Sequence, residues 1–245
     1  MARLILFLLA FSLTALSMPT RWSADEAKFY SSISKEIQNI RKHGNDIRRP
    51  GCELSDLKLP QSSKPLPNIP GGQKLLAVAV GRGTQNYTCE SESEKPTPRG
   101  ALATLFDASC IAANYPQLLA SLTNAALHLQ QPEPFSNAPG AARMPVMGHH
   151  FFSNGTTAVF EAANMGASSV IKIEAVDAPQ NSLPGVCGQL DGAVPWLFLE
   201  SIPESTGKAK SIYRVNTAGG SPPKYCTGQP KEITVQYSAE YWFYG

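Results

Sequence analysis

From residue 74 onward, apolar side chains fall at alternate positions in short runs, and Gly, Pro, Asn and Ser gather between the runs. A period of two is the mark of a strand with one face buried. It predicts strands at 74–80, 84–89, 101–106, 149–152, 157–161, 169–176, 194–200, 211–217 and 233–237, the last running into 239–244. Between the first two lie Gly81 and Gly83, which read as a bend or bulge in one chain path. The alternation of strand and helix that a doubly wound parallel sheet needs is missing. The expected fold class is therefore mainly β, an antiparallel β-sandwich or barrel with an N-terminal helix and one inserted helix.

The N-terminal helix is predicted at 24–43. Ser23 and Glu26 form a capping box, Tyr30, Ile33, Ile37 and Ile40 recur at helical spacing, and Gly44 suits the left-handed end. The inserted helix is predicted at 116–130, opening on Pro116, with Leu118, Leu119, Leu122, Ala126 and Leu129 on one side. Prolines break both periods at 49–72 and at 131–147, which read as connectors, as does 90–100. Ahead of all this, Met1-Ala2-Arg3, an apolar run at 4–13 and Ala15-Leu16-Ser17 make the three parts of a secretory signal peptide. That run is shorter than the roughly 20 residues a membrane-crossing helix needs. The expected division is a signal peptide at 1–17, helix and Pro-rich connector at 18–58, and one β-rich domain at 59–245, exported to the extracellular space or cell wall.

Composition adds exclusions. Among 245 residues, 21 basic and 19 acidic side chains nearly cancel, so neither nucleic acid nor a membrane surface is an expected partner. Cys52, Cys89, Cys110, Cys187 and Cys226 include no C-x-x-C pair, which favours two disulfides and one odd thiol over zinc, with the connectivity open. Asn86-Tyr87-Thr88 and Asn154-Gly155-Thr156 are glycosylation sequons.

Candidate chemistry centres on a few groups. His149 and His150 are the first metal candidates, yet adjacent strand residues point to opposite faces, so one faces in and one out and no metal site is assigned. Asp107 and Glu240 lie among apolar neighbours, where a carboxylate needs a partner, and Arg82 and Arg214 are the expected ones. The same arginines could instead bind an anion or a sugar. With Glu161 and Asp191, these acids could also supply the carboxylate pair of a glycosidase, His149 assisting. Tyr237, Tyr241, Trp242, Phe243 and Tyr244 could form a stacking platform for sugars, with Tyr241 and Trp242 on opposite faces. A serine-hydrolase elbow is absent, because Gly166-Ala167-Ser168-Ser169-Val170 lacks its second glycine, and there is no phosphate loop.

Taken together, Gly81–Cys89, Leu105-Phe106-Asp107-Ala108-Ser109-Cys110, Gly148-His149-His150-Phe151-Phe152, Pro195-Trp196-Leu197, the stretch 212–220 and the stretch 237–244 resemble the fungal branch of the domain of unknown function 3455 family, found in exported fungal and bacterial proteins. The likeness runs from about Leu59 to the C-terminus and brings no catalytic residues with it. Fungal members often bear a malate dehydrogenase label; here Gly81-Arg82-Gly83 lacks the third glycine and leads into another strand, so no dinucleotide or other cofactor is expected. Bacterial members keep cysteines matching Cys89 and Cys226, which implies that these pair, that Cys52 pairs with Cys110 and that Cys187 is free. The expected function is a binding or surface-interaction module for a carbohydrate or small anion, with cell-wall polysaccharide or a host surface as partner. The alternatives are a polysaccharide-active enzyme with paired carboxylates and a cell-wall protein without a small ligand.

Overall fold

The computed structural model describes residues 52–128 and 146–245. The signal peptide, the helix at 24–43 and most of the connector at 131–147 lie outside the described residues. Eight strands follow in order: β1 (Leu75–Thr88), β2 (Thr97–Asp107), β3 (Val146–Phe152), β4 (Ala158–Ala162), β5 (Gly166–Val176), β6 (Trp196–Ser201), β7 (Ser211–Gly219) and β8 (Glu232–Tyr244). Each is antiparallel to the next, and β8 returns to β1, so the sheet closes into a barrel and has no end strand. Of the two expected architectures, the barrel is the one formed.

Complementary side-chain sizes fill the barrel. On β8, Tyr237, Tyr241 and Phe243 point in, joined by Phe160 of β4, while the walls opposite carry Ala77, Ala79, Ala101, Ala103, Ala158 and Ala162. Gly81 and Gly83 belong to this fit. A Cβ on Gly81 would lie 2.5 Å from Cε2 of Tyr241, and one on Gly83 would strike the Leu102 carbonyl and Ala103. β1 therefore runs unbroken through both glycines. Its register shifts lie elsewhere, at Asn86/Tyr87 against β2 and at Leu75/Ala77 against β8, which corrects the expected bend.

Two helices join β2 to β3: α1 (Ser109–Asn114) and α2 (Pro116–His128). α1 was not legible from periodicity, because six residues hold less than two turns. The helices pack Ala112, Leu119 and Leu122 on the outer face of the barrel, over Val78, Val80, Val215 and Trp242. Ser238 Oγ also donates to the Thr123 carbonyl of α2. Leu57, Leu59 and Leu66 of the proline-rich connector continue this outer layer. The connector is tied down by Tyr213 Oη, which donates to Pro67 O at 3.1 Å, and by the Cys52–Cys110 disulfide to α1.

Candidate functional site

The barrel interior is not wholly apolar. Alternation on β7 that puts Ile212 inside also turns Arg214 inward, opposite Tyr241 of β8 and Leu197 of β6. Arg214 is 8% exposed, and its Nε and Nη2 donate to the Pro195 carbonyl at 3.2 and 2.9 Å. The hydroxyls of Tyr237 and Tyr241 bond each other at 2.9 Å. Burial pushes both phenols above the ordinary tyrosine range, Tyr237 well above it, and the Arg214 guanidinium acts in the opposite direction on each.

His150 enters the same space from β3. Its ring stacks on Phe160 with centroids 4.1 Å apart and stands 5.9 Å from the Tyr241 ring. Nδ1 lies 3.0 Å from the Val159 carbonyl, which can only accept, so Nδ1 carries the hydrogen and Nε2 keeps its lone pair. Burial, with Arg214 nearby, pushes the imidazole down to about 4, so it is neutral at pH 7. The assembled cluster is one fixed cation, two neutral phenols and one neutral imidazole. No carboxylate balances the arginine: the one ion pair among the described residues is Arg99–Glu90 on the surface, at 3.4 Å.

One side of this chamber is open. β4 pairs with β5 only as far as Val170, while β5 continues to Val176. Beyond that point Lys172, opposite the inward Leu199, is exposed, and the inner-face residues Ala175 and Leu197 are half-buried. Lys172 thus adds a second cation at the mouth. Glu174 and Glu200 stand opposite the outward Phe198 and Ile171, so the inner face of β5, β6 and β7 carries no acid.

Several expected site residues land elsewhere. Arg82 is on the outer face, where it closes the C-terminal end of α2. Its Nε donates to Ala126 O at 2.8 Å, Nη1 to Gly83 O at 2.9 Å and Tyr237 O at 3.3 Å, and Nη2 to Leu127 O at 3.5 Å and to Gln236 Oε1. These are the carbonyls a helix end leaves unpaired. Arg82 and Arg214 therefore sit on opposite sides of the wall and share no site.

The expected pairing of acids with arginines does not form. Glu240, fully buried beneath α2, accepts from Asn216 Nδ2 at 2.8 Å and from Trp242 Nε1 at 2.9 Å. A register shift between Val215 and Ala218 turns the Asn216 amide to it, with Asn216 at φ 44°. Burial raises the Glu240 pKa, against those two donors. Asp107 accepts from the Ser109 amide at 2.9 Å in the turn into α1. It opposes the inward Ala79, whereas Glu240 opposes the outward Val80, so the two carboxylates do not face one another. Tyr241 and Trp242 are both buried, one in the barrel and one under the outer layer, so the aromatic ending is not an exposed platform.

Other expectations hold. His149 is exposed and His150 buried, and no group of three potential ligands occurs among the described residues. Cys89–Cys226 and Cys52–Cys110 are bonded, with Cα atoms 5.6 and 4.5 Å apart, and Cys187 is free and exposed. Asn154 is exposed in the β3–β4 turn, while Asn86 is half-buried in a strand paired on both sides. His150, Tyr237 and Lys172 were not singled out as a binding set. The available signal was inward parity, which places a residue only once the register with its neighbours is known.

Residues 70–245 match the family model described as a protein of unknown function, DUF3455. The chain belongs to the domain of unknown function 3455 family. This DUF3455 match takes in the whole barrel and both helices and begins inside the connector. No curated protein and no solved structure matches the chain.

The state of His150 makes a pH prediction for this DUF3455 barrel. A histidine held near 4 when folded and near its ordinary 6.5 when unfolded takes up protons preferentially in the unfolded state between those values. Its contribution is intact above about pH 6.5 and is lost as pH falls toward about 4, amounting to about 3 kcal/mol. Glu240 acts with the opposite sign, because a raised folded pKa stabilises the fold on acidification. Urea unfolding of wild type and His150→Phe across this range isolates the histidine: the variant loses the acid-side decline, and parallel profiles would contradict the assignment.

Proposed function

We propose that this chain is an exported binding module that takes a small anionic ligand at the open mouth of the barrel, anchored by Arg214 and guided by Lys172. The observation that carries the reading is the buried Arg214 guanidinium without a counter-charge among the described residues. A buried cation is costly unless paired, and one carbonyl acceptor does not neutralise it. An incoming carboxylate would supply both the charge and the acceptors, and arginine presents a planar fork suited to it. Lys172 and the absence of acid on the surrounding wall favour entry of an anion.

Export is supported by the leader-like pattern at 1–17 and by the two disulfides. No helix among the described residues is long and apolar enough to cross a membrane. Of the two sequons, exposed Asn154 is the one a glycan reaches without disturbing the sheet. The test is calorimetric titration with hexanoate and with hexanamide, its uncharged analogue. Hexanoate is expected to bind, with affinity falling at least tenfold in Arg214→Gln and severalfold in Lys172→Gln, a surface change that leaves the fold intact. Equal binding of the amide, or unchanged affinity in both variants, would overturn the proposal.

A further inference from the structure

The chamber offers more than a cation. Its donors are the Arg214 guanidinium, the one tyrosine hydrogen that the Tyr237–Tyr241 bond leaves over, and the Gln85 amide nitrogen, which is buried beside Tyr237 without a hydrogen-bonded acceptor. Its acceptor is Nε2 of His150, which carries no hydrogen bond among the described residues because Nδ1 holds the ring on Val159 O. Buried polar atoms without partners mark a place for water or ligand. Several donors beside a single lone-pair acceptor describe a guest with a carboxylate and at least one hydroxyl. A fatty acid lacks the O–H that His150 would receive, and a neutral sugar lacks the charge that Arg214 would receive.

We infer that the mouth of the barrel binds a sugar acid of the uronate class, its carboxylate on Arg214 and a ring hydroxyl donating to Nε2 of His150. This rests on the anion reading above and narrows it. His150 is a positioning group for the guest, locked in its tautomer by Val159 O and in its plane by Phe160. A site built to receive a hydroxyl discriminates against ligands lacking one, because its own polar atom would be left unpaired.

The experiment uses the purified mature protein with galacturonate, galactose and hexanoate as probes, on wild type and on His150→Phe, which keeps the stacked ring and removes the acceptor. Galacturonate is expected to bind at least tenfold tighter than hexanoate, and His150→Phe to erase that advantage while leaving hexanoate unchanged. Should the variant fail to fold, the nitrogen resonance of His150 Nε2 in wild type gives the second readout, shifting with galacturonate and not with hexanoate. Equal binding of the two acids, or an unmoved Nε2 resonance, would overturn the uronate assignment and leave the anion site standing. Galactose binding as tightly as galacturonate would overturn both, and binding of no probe would do the same.

Discussion

Replacing Arg82 by methionine is expected to destabilise the protein by about 3 to 5 kcal/mol, because each buried acceptor left without a donor costs about 1–3 kcal/mol and several lose theirs together. Methionine keeps the apolar stem and removes every donor. The carbonyls of Ala126 and Leu127 at the end of α2, those of Gly83 and Tyr237 in the wall, and the Gln236 side chain all depend on this one guanidinium. Arg82→Lys restores the charge without the planar fork and should recover only part of the loss. Urea unfolding at constant slope measures both variants. A loss below about 1 kcal/mol in Arg82→Met would mean that water satisfies these carbonyls, and that α2 is held by its apolar face alone.

The same residue shows why the barrel was legible and the site only partly so. Alternation located the strands, since each buries one face, and the inserted helix announced itself through Leu118, Leu119 and Leu122. Parity within a strand was also readable: Tyr241 and Trp242 had to face opposite ways. What alternation does not contain is the layer beyond each face. β8 lies between a filled barrel and a cover of helices and connector, so both of its faces are buried and no aromatic strip is left for sugars.

Arg82 and Arg214 look alike in sequence, yet register turns one outward to a helix end and the other inward to two tyrosines. The Glu240 partners depended on the register shift that brings Asn216 round, and no pattern in 211–219 marks it. Gly81 and Gly83 were read through backbone freedom, whereas their role is space for side chains 160 and 20 positions away in sequence, Tyr241 and Ala103. Contacts of that range are set by the closed sheet. The anion site follows the same logic, since Arg214, Tyr241, Tyr237 and His150 meet only because β3, β7 and β8 curve round one interior.

Closure also makes the two disulfides unequal. Cys89 and Cys226 are 137 residues apart in sequence and join the end of β1 to the segment before β8, within a small cluster with Tyr87, Ile233 and Val235. Backbone bonds flank the staple, Cys89 N to Lys231 O at 2.8 Å and Cys226 N to Glu94 O at 2.9 Å. In the chain-entropy account, opening a loop of this length costs about 4–5 kcal/mol. Replacing both cysteines by alanine keeps the cluster apolar, so the loss measured is that of the cross-link, and unfolding is expected to shift by about that amount as one cooperative transition. Cys52–Cys110 spans 58 residues but fastens the connector to the outside of α1, away from the ladder. Alanine at both of its positions is expected to release the connector while the barrel stays closed, seen as fast proteolysis near residue 60 with most of the barrel stability retained. Equal losses from the two pairs, with no early cleavage in the second, would show that the connector and the barrel unfold as one unit.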